Sequence, residues 1–110
     1  MVIYRAISVQ EKQDLEVDNK FRSKEGAYEG KLFAQSLKDA TIFGKNFYIE
    51  DDEPIFVVEV DVDDVFFRKL YIDMLDESFG VAPSIAVDRD QLDEFNNRIS
   101  IKILDILYYA

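Results

Sequence analysis

Apolar and polar residues alternate over several short stretches of this chain, and helical spacings and helix-cap signals fall between them. Residues 2–6 form an apolar run with β-branched and aromatic members, which predicts a strand. Ser8, followed three residues later by Glu11, makes the S-x-x-E capping box, so a helix is expected over 9–17. Asp18, Asn19 and Lys20 favour a turn and should end it. Residues 19–30 hold Gly26 and Gly30 among charged neighbours and read as a mobile loop. A brief strand is expected over 31–34. Ser36 then caps a second helix, with Asp39 in its first turn, where a negative charge meets the positive helix end. Leu37, Ala40, Gly44 and Phe47 recur at spacings of three and four, which turns that helix inward.

The second half is richer in strands. Residues 50–53 are an acidic turn before Pro54. Phe56, Val58, Val60 and Val62 alternate with Val57, Glu59 and Asp61, which predicts a strand with one buried face and one partly in solvent. Residues 66–75 place Phe67, Leu70 and Met74 on one side of a short helix. A turn over 80–83, a small strand over 85–87 and a helical turn over 88–95 follow. Ile99, Ile101 and Ile103 alternate with Ser100 and Lys102 in a final strand. The apolar end, residues 103–109, is either core or a dimer edge. The order β-α-β-α-β and then two more strands predicts an α+β fold: one compact domain over 1–110, a mixed or antiparallel sheet and two N-terminal helices.

Composition narrows the chemistry. With 110 residues, 48% of them hydrophobic and nine of them phenylalanine, the chain has material for one core. It contains no cysteine and no histidine. Disulfides, thiolate zinc sites, cysteine nucleophiles and a Ser-His-Asp triad are therefore excluded. A net charge of −10 repels a phosphate backbone, so direct nucleic-acid binding is not expected. The acidity fits a solvated surface, or else a face that mimics DNA to occupy a basic protein groove. The start of the sequence has no signal-peptide pattern and no apolar run reaches membrane-spanning length, so a cytoplasmic location is the expectation.

Tyr4-Arg5 on the first strand, the capping Ser8, the segment Gly30-Lys31-Leu32-Phe33-Ala34-Gln35-Ser36, the helix with Asp39-Ala40 and Phe43-Gly44, and the strand Phe56-Val57-Val58-Glu59-Val60-Asp61-Val62 together form one pattern. In that order they resemble the front half of small ADP-ribosyltransferase-like domains. The resemblance covers residues 2–62; beyond them only strand order is similar. It implies a cleft for NAD or a related nucleotide. Arg5 stands where the family holds the NAD diphosphate or ribose, a task suited to a guanidinium fork. Ser36 stands where the nicotinamide pocket is supported. Phe33, or Phe43 or Tyr48 on the second helix, would stack on the nicotinamide ring. The family's catalytic glutamate at the start of a late strand stabilises an oxocarbenium-like state. Ser84 occupies that position here, with Glu77 and Glu94 the nearest glutamates. The resemblance therefore implies a degenerate member.

Each residue also has a structural reading. Arg5 suits an ion pair, Ser36 a helix cap, and Phe33, Phe43 and Tyr48 the core. Asp61, Asp63 and Asp64, and likewise Asp51, Asp52 and Glu53, have oxygen ligands for calcium or magnesium, but neither set fits the twelve-residue calcium loop. Both read as solvated turns, and no metal is expected. Two functions follow: a degenerate ADP-ribosyltransferase-like domain binding a small nucleotide, or a non-enzymatic acidic protein binding a basic protein partner. The second would be of the immunity, inhibitor or DNA-mimic type, from a bacterium or phage.

Overall fold

The chain alternates strands and helices around one antiparallel sheet. In the computed structural model, residues 1–21, 30–47, 54–74 and 83–109 are described. The elements run β1 (Val2–Ile7), α1 (Val9–Asp18), β2 (Gly30–Ala34), α2 (Leu37–Phe47), β3 (Pro54–Val62), α3 (Asp64–Phe67), β4 (Tyr71–Met74), β5 (Pro83–Asp88), α4 (Leu92–Asn97) and β6 (Ile99–Tyr109). A 3-10 turn, Arg89–Gln91, leads into α4. Residues 22–29 of the loop expected over 19–30, the acidic turn at 50–53, most of the turn at 80–83, Tyr48 and Glu77 lie outside the described residues.

Local chemistry explains most of these boundaries. Ser8 caps α1 by accepting the Glu11 N–H at 3.2 Å. Asn19 closes it in the left-handed conformation (φ 53°), where asparagine is tolerated, and donates its N–H to the Leu15 carbonyl. Ser36 accepts the Asp39 N–H at 3.1 Å and starts α2 as the cap pattern requires. Asp63 does the same for α3, accepting from Phe66 N–H at 3.3 Å.

One expected element is corrected. The helix expected over 66–75 does not run through residues 66–74. α3 ends at Phe67, and Tyr71–Met74 becomes a strand paired with Pro83–Ala86. The i+3 bonds from Lys69 N–H to Phe66 and from Leu70 N–H to Phe67 tighten the last turn and stop it. Phe66 and Leu70 reach the core from that turn. The ladder to β5 then overrides the three-and-four spacing of the apolar residues.

The six strands lie in the order β4-β5-β2-β1-β3-β6, and every neighbouring pair is antiparallel. The sheet is thus the antiparallel form of the expected α+β fold. Strand alternation assigns its two faces. One face carries Ile3, Ile7, Phe33, Val58, Val60, Val62, Ile85 and Val87, all buried against Leu15, Phe66, Leu92 and Phe95 of α1, α3 and α4. Phe21, Phe33 and Phe95 form its centre, with ring centroids 5.3–6.0 Å apart. Such pairs prefer tilted and edge-on contacts, as seen here. Asn96 on α4 pins Phe21 by a reciprocal pair: its carbonyl accepts the Phe21 N–H at 2.8 Å and its amide donates to the Phe21 carbonyl at 2.9 Å.

α2 covers the other face. Ala40 and Gly44 are buried there, over Ala6 and Ile55. A Cβ on Gly44 would meet the Ala6 Cβ at 2.6 Å, so the glycine sets how closely α2 approaches β1. β3 is accordingly buried on both faces at Ile55 and Val57–Val58, half-buried at Pro54, Phe56 and Glu59, and exposed at Asp61.

Candidate functional site

Arg5 lies inside β1, which runs two residues beyond it, on the face covered by α1. The first turn of α1 brings Glu11 over it. Arg5 Nε donates to Glu11 Oε2 at 2.7 Å and Nη2 to Oε1 at 2.9 Å, a bidentate fork. Nη1 donates to the Leu32 carbonyl on β2 at 2.9 Å. Lys31 approaches the same carboxylate at 3.6 Å. The guanidinium also sits 5.9 Å from the Phe33 ring centroid. Arg5, Glu11 and Lys31 are each only 13–15% exposed. Burial pushes the Glu11 carboxyl up, but the Arg5 charge and fork, followed by Lys31, outweigh it and hold the carboxyl below its ordinary value.

The capping box is therefore half of what its pattern implies. Ser8 caps the helix, but the Glu11 carboxylate turns to Arg5 and Lys31. All three kinds of guanidinium nitrogen in Arg5 have partners within the chain.

The remaining candidates do not gather at one place. Phe33 joins Arg5 on the α1 face and is 2% exposed in the core. Ser36 sits at the start of α2 and serves as its cap. Phe43 belongs to α2, which packs on the opposite face of the sheet from Arg5. Ser84 lies on β5, in register with Ala34 on one side and Asp73 on the other. Glu94 is exposed on α4.

Register reveals a row that sequence reading missed. Asp73, Ser84, Ala34, Tyr4, Glu59 and Lys102 are successive partners across all six strands. Within it the Tyr4 hydroxyl donates to Glu59 Oε1 at 3.3 Å. Desolvation, then the Glu59 charge and hydrogen bond, push the Tyr4 hydroxyl above its ordinary pKa. The alternation of strands 3 and 6 signals Glu59 and Lys102, but only pairing register aligns them with Tyr4, Ser84 and Asp73.

At one end of the sheet an open pocket of about 620 Å³ is lined by Met1, residues 61–64 and residues 97–100. The Met1 ammonium donates there to Asp64 Oδ1 at 2.8 Å and to the Val62 carbonyl at 2.9 Å. Among the described residues, no group of three or more acids is arranged to hold a metal ion, and no helix is long and apolar enough to cross a membrane.

Exposed acids cluster at two places on the described surface, among exposed cations that include Arg68, Lys69, Arg98 and Lys102. Asp61, Asp63 and Asp64 follow one another at the end of β3, and Asp88, Asp90, Asp93 and Glu94 surround the start of α4. The Arg5–Glu11–Lys31 cluster is net +1 and the whole chain is −10, which leaves −11 for all other groups. No family model matches the chain, and no curated protein or solved structure matches it.

Proposed function

We propose that this chain is a non-enzymatic acidic interaction protein, of the immunity, inhibitor or DNA-mimic type, that binds a basic protein partner. The observation that carries this reading is how its charge is distributed. Two of its cations are spent on one largely buried glutamate, so the groups outside that cluster carry −11 against a formal charge of −10. Acids spread over an exposed surface steer a basic partner and speed encounter. The nucleotide reading would require the Arg5 guanidinium to exchange Glu11 and the Leu32 carbonyl for phosphate. Of its candidate aromatics Phe33 shares the Arg5 face but is buried in the core, and Phe43 is on the far side of the sheet, so the nucleotide reading has less support.

The test is isolation of a stoichiometric complex, followed by its affinity as a function of salt. A basic partner bound at micromolar Kd or tighter in about 0.15 M salt, and weakening steeply above it, is the expected result. A partner that is acidic or neutral, or an affinity indifferent to salt, would overturn the reading.

A further inference from the structure

The sheet ends in two unlike edges. β4 offers four residues, whereas β6 offers eleven. β6 pairs with β3 from Ile99 to Leu104 without a break, and a register shift between Phe56 and Val57 interrupts the ladder only beyond that run. Among the described residues no strand pairs with the outer side of β6. Alternate residues of an edge strand point N–H and C=O groups outward, ready to accept another strand.

Burial marks the same run as incomplete. Val58, Val60 and Val62 on β3 are 0–1% exposed, while their partners Ile103, Ile101 and Ile99 on β6 are only half-buried. The apolar face thus reaches the last strand and stops in mid-layer. One more strand would cover these three isoleucines as β6 covers the valines.

We infer that the Ile99–Leu104 edge of β6 receives an extended segment of the basic partner by strand addition. This rests on the reading of the chain as a binder of basic proteins, and names where that binding occurs. Main-chain hydrogen bonds would supply affinity, and alternate side chains would supply selectivity. Apolar residues of the segment would extend the isoleucine face. On the opposite face, a lysine or arginine facing Ser100 would reach towards Asp61, which is the β3 partner of Ser100 and is exposed. The position facing Lys102 would take an uncharged or acidic residue, since like charges directly opposite are unfavourable. Charge also chooses between occupants. A second copy would bring −10 against −10, whereas a basic segment is attracted.

The probe is a short synthetic peptide alternating valine with polar residues, lysine at the position facing Ser100 and serine at the position facing Lys102, compared with the same peptide carrying a central proline. Proline removes a donor and breaks strand pairing but leaves the charge unchanged. Calorimetry at low salt should show the unbroken peptide binding at least about tenfold more tightly, a difference of ~1.4 kcal/mol. Amide hydrogen exchange should slow at residues 99–104 only with that peptide. Asp61→Asn should weaken its binding several-fold. Equal binding of both peptides, or protection elsewhere, would overturn the edge assignment and leave the basic-partner reading standing. Binding of neither peptide would overturn both. Self-association with the same amides protected would replace the peptide by a second copy and overturn the inference.

Discussion

Two sets of charges in this molecule do opposite work. Arg5, Glu11 and Lys31 are gathered between β1, β2 and α1, largely out of water, with the Arg5 nitrogens and the Glu11 oxygens committed to one another and to the Leu32 carbonyl. Asp88, Asp90, Asp93 and Glu94 stand in solvent around the start of α4. The first set joins the first strand, the second strand and the first helix. The second set contributes field more than contacts. Removing a member of the first leaves charge stranded at low exposure, while removing a member of the second leaves water in its place.

The largest effect should come from Glu11→Ala. It removes the carboxylate that holds the Arg5 guanidinium and lies beside the Lys31 ammonium at low exposure, and should cost about 3 kcal/mol. Denaturant unfolding would show this as a lower midpoint at unchanged slope. A cost near zero would mean that the inner cluster behaves like the outer acids.

Acid sharpens the same contrast. The folded Glu11 carboxyl is held below its ordinary value, so the unfolded chain takes up a proton first as pH falls. The stability it contributes is present above the ordinary carboxylate pKa, near ~4.3, and is lost as pH falls through the lowered folded value. Thermal unfolding across that window should fall less steeply for Glu11→Gln than for the native chain, and parallel curves would contradict it.

Asp63 lies between the two sets. It is exposed, yet its carboxylate caps α3. Asp63→Ala should cost about 1 kcal/mol, the usual worth of an N-cap, measured by the same unfolding curves. The smallest effect belongs to the triple change Asp90→Asn, Asp93→Asn and Glu94→Gln. Its stability should stay within about 0.5 kcal/mol of the native chain. The association rate with a basic partner should nonetheless drop at low salt and converge with the native rate at high salt. A large loss of stability would show that these acids also hold the fold.

Much of the framework was legible because it rests on local signals. Ser8 and Asn19 bracket α1, Ser36 starts α2, and the alternation of Phe56 to Val62 marks β3. β4 was hidden because Phe67, Leu70 and Met74 fit a helical spacing, and only its ladder to β5 makes residues 71–74 a strand. The Arg5–Glu11 fork was hidden for a different reason. Glu11 already had a local role in the capping box, and the angle at which α1 returns over β1 decides where its carboxylate goes. The Asn96–Phe21 clasp spans 75 residues and has no local signature. The cross-sheet row from Asp73 to Lys102 depends on the register of five ladders at once. Arg5, Phe33, Ser36 and Phe43 were singled out individually, but strand alternation and the choice of face set Arg5 and Phe43 on opposite sides of the sheet.

Everything turns on whether the Arg5 guanidinium is occupied from within. The most direct measurement is the Nε–H resonance of Arg5 in ¹⁵N NMR, followed as NAD is added. With its donor held by Glu11, the account predicts a protected signal that is lost in Glu11→Ala and does not move on addition of NAD to about 1 mM, beyond which only binding weaker than ~4 kcal/mol would remain. A saturable shift of that resonance with NAD would contradict the account, and would assign the inner cluster to a ligand.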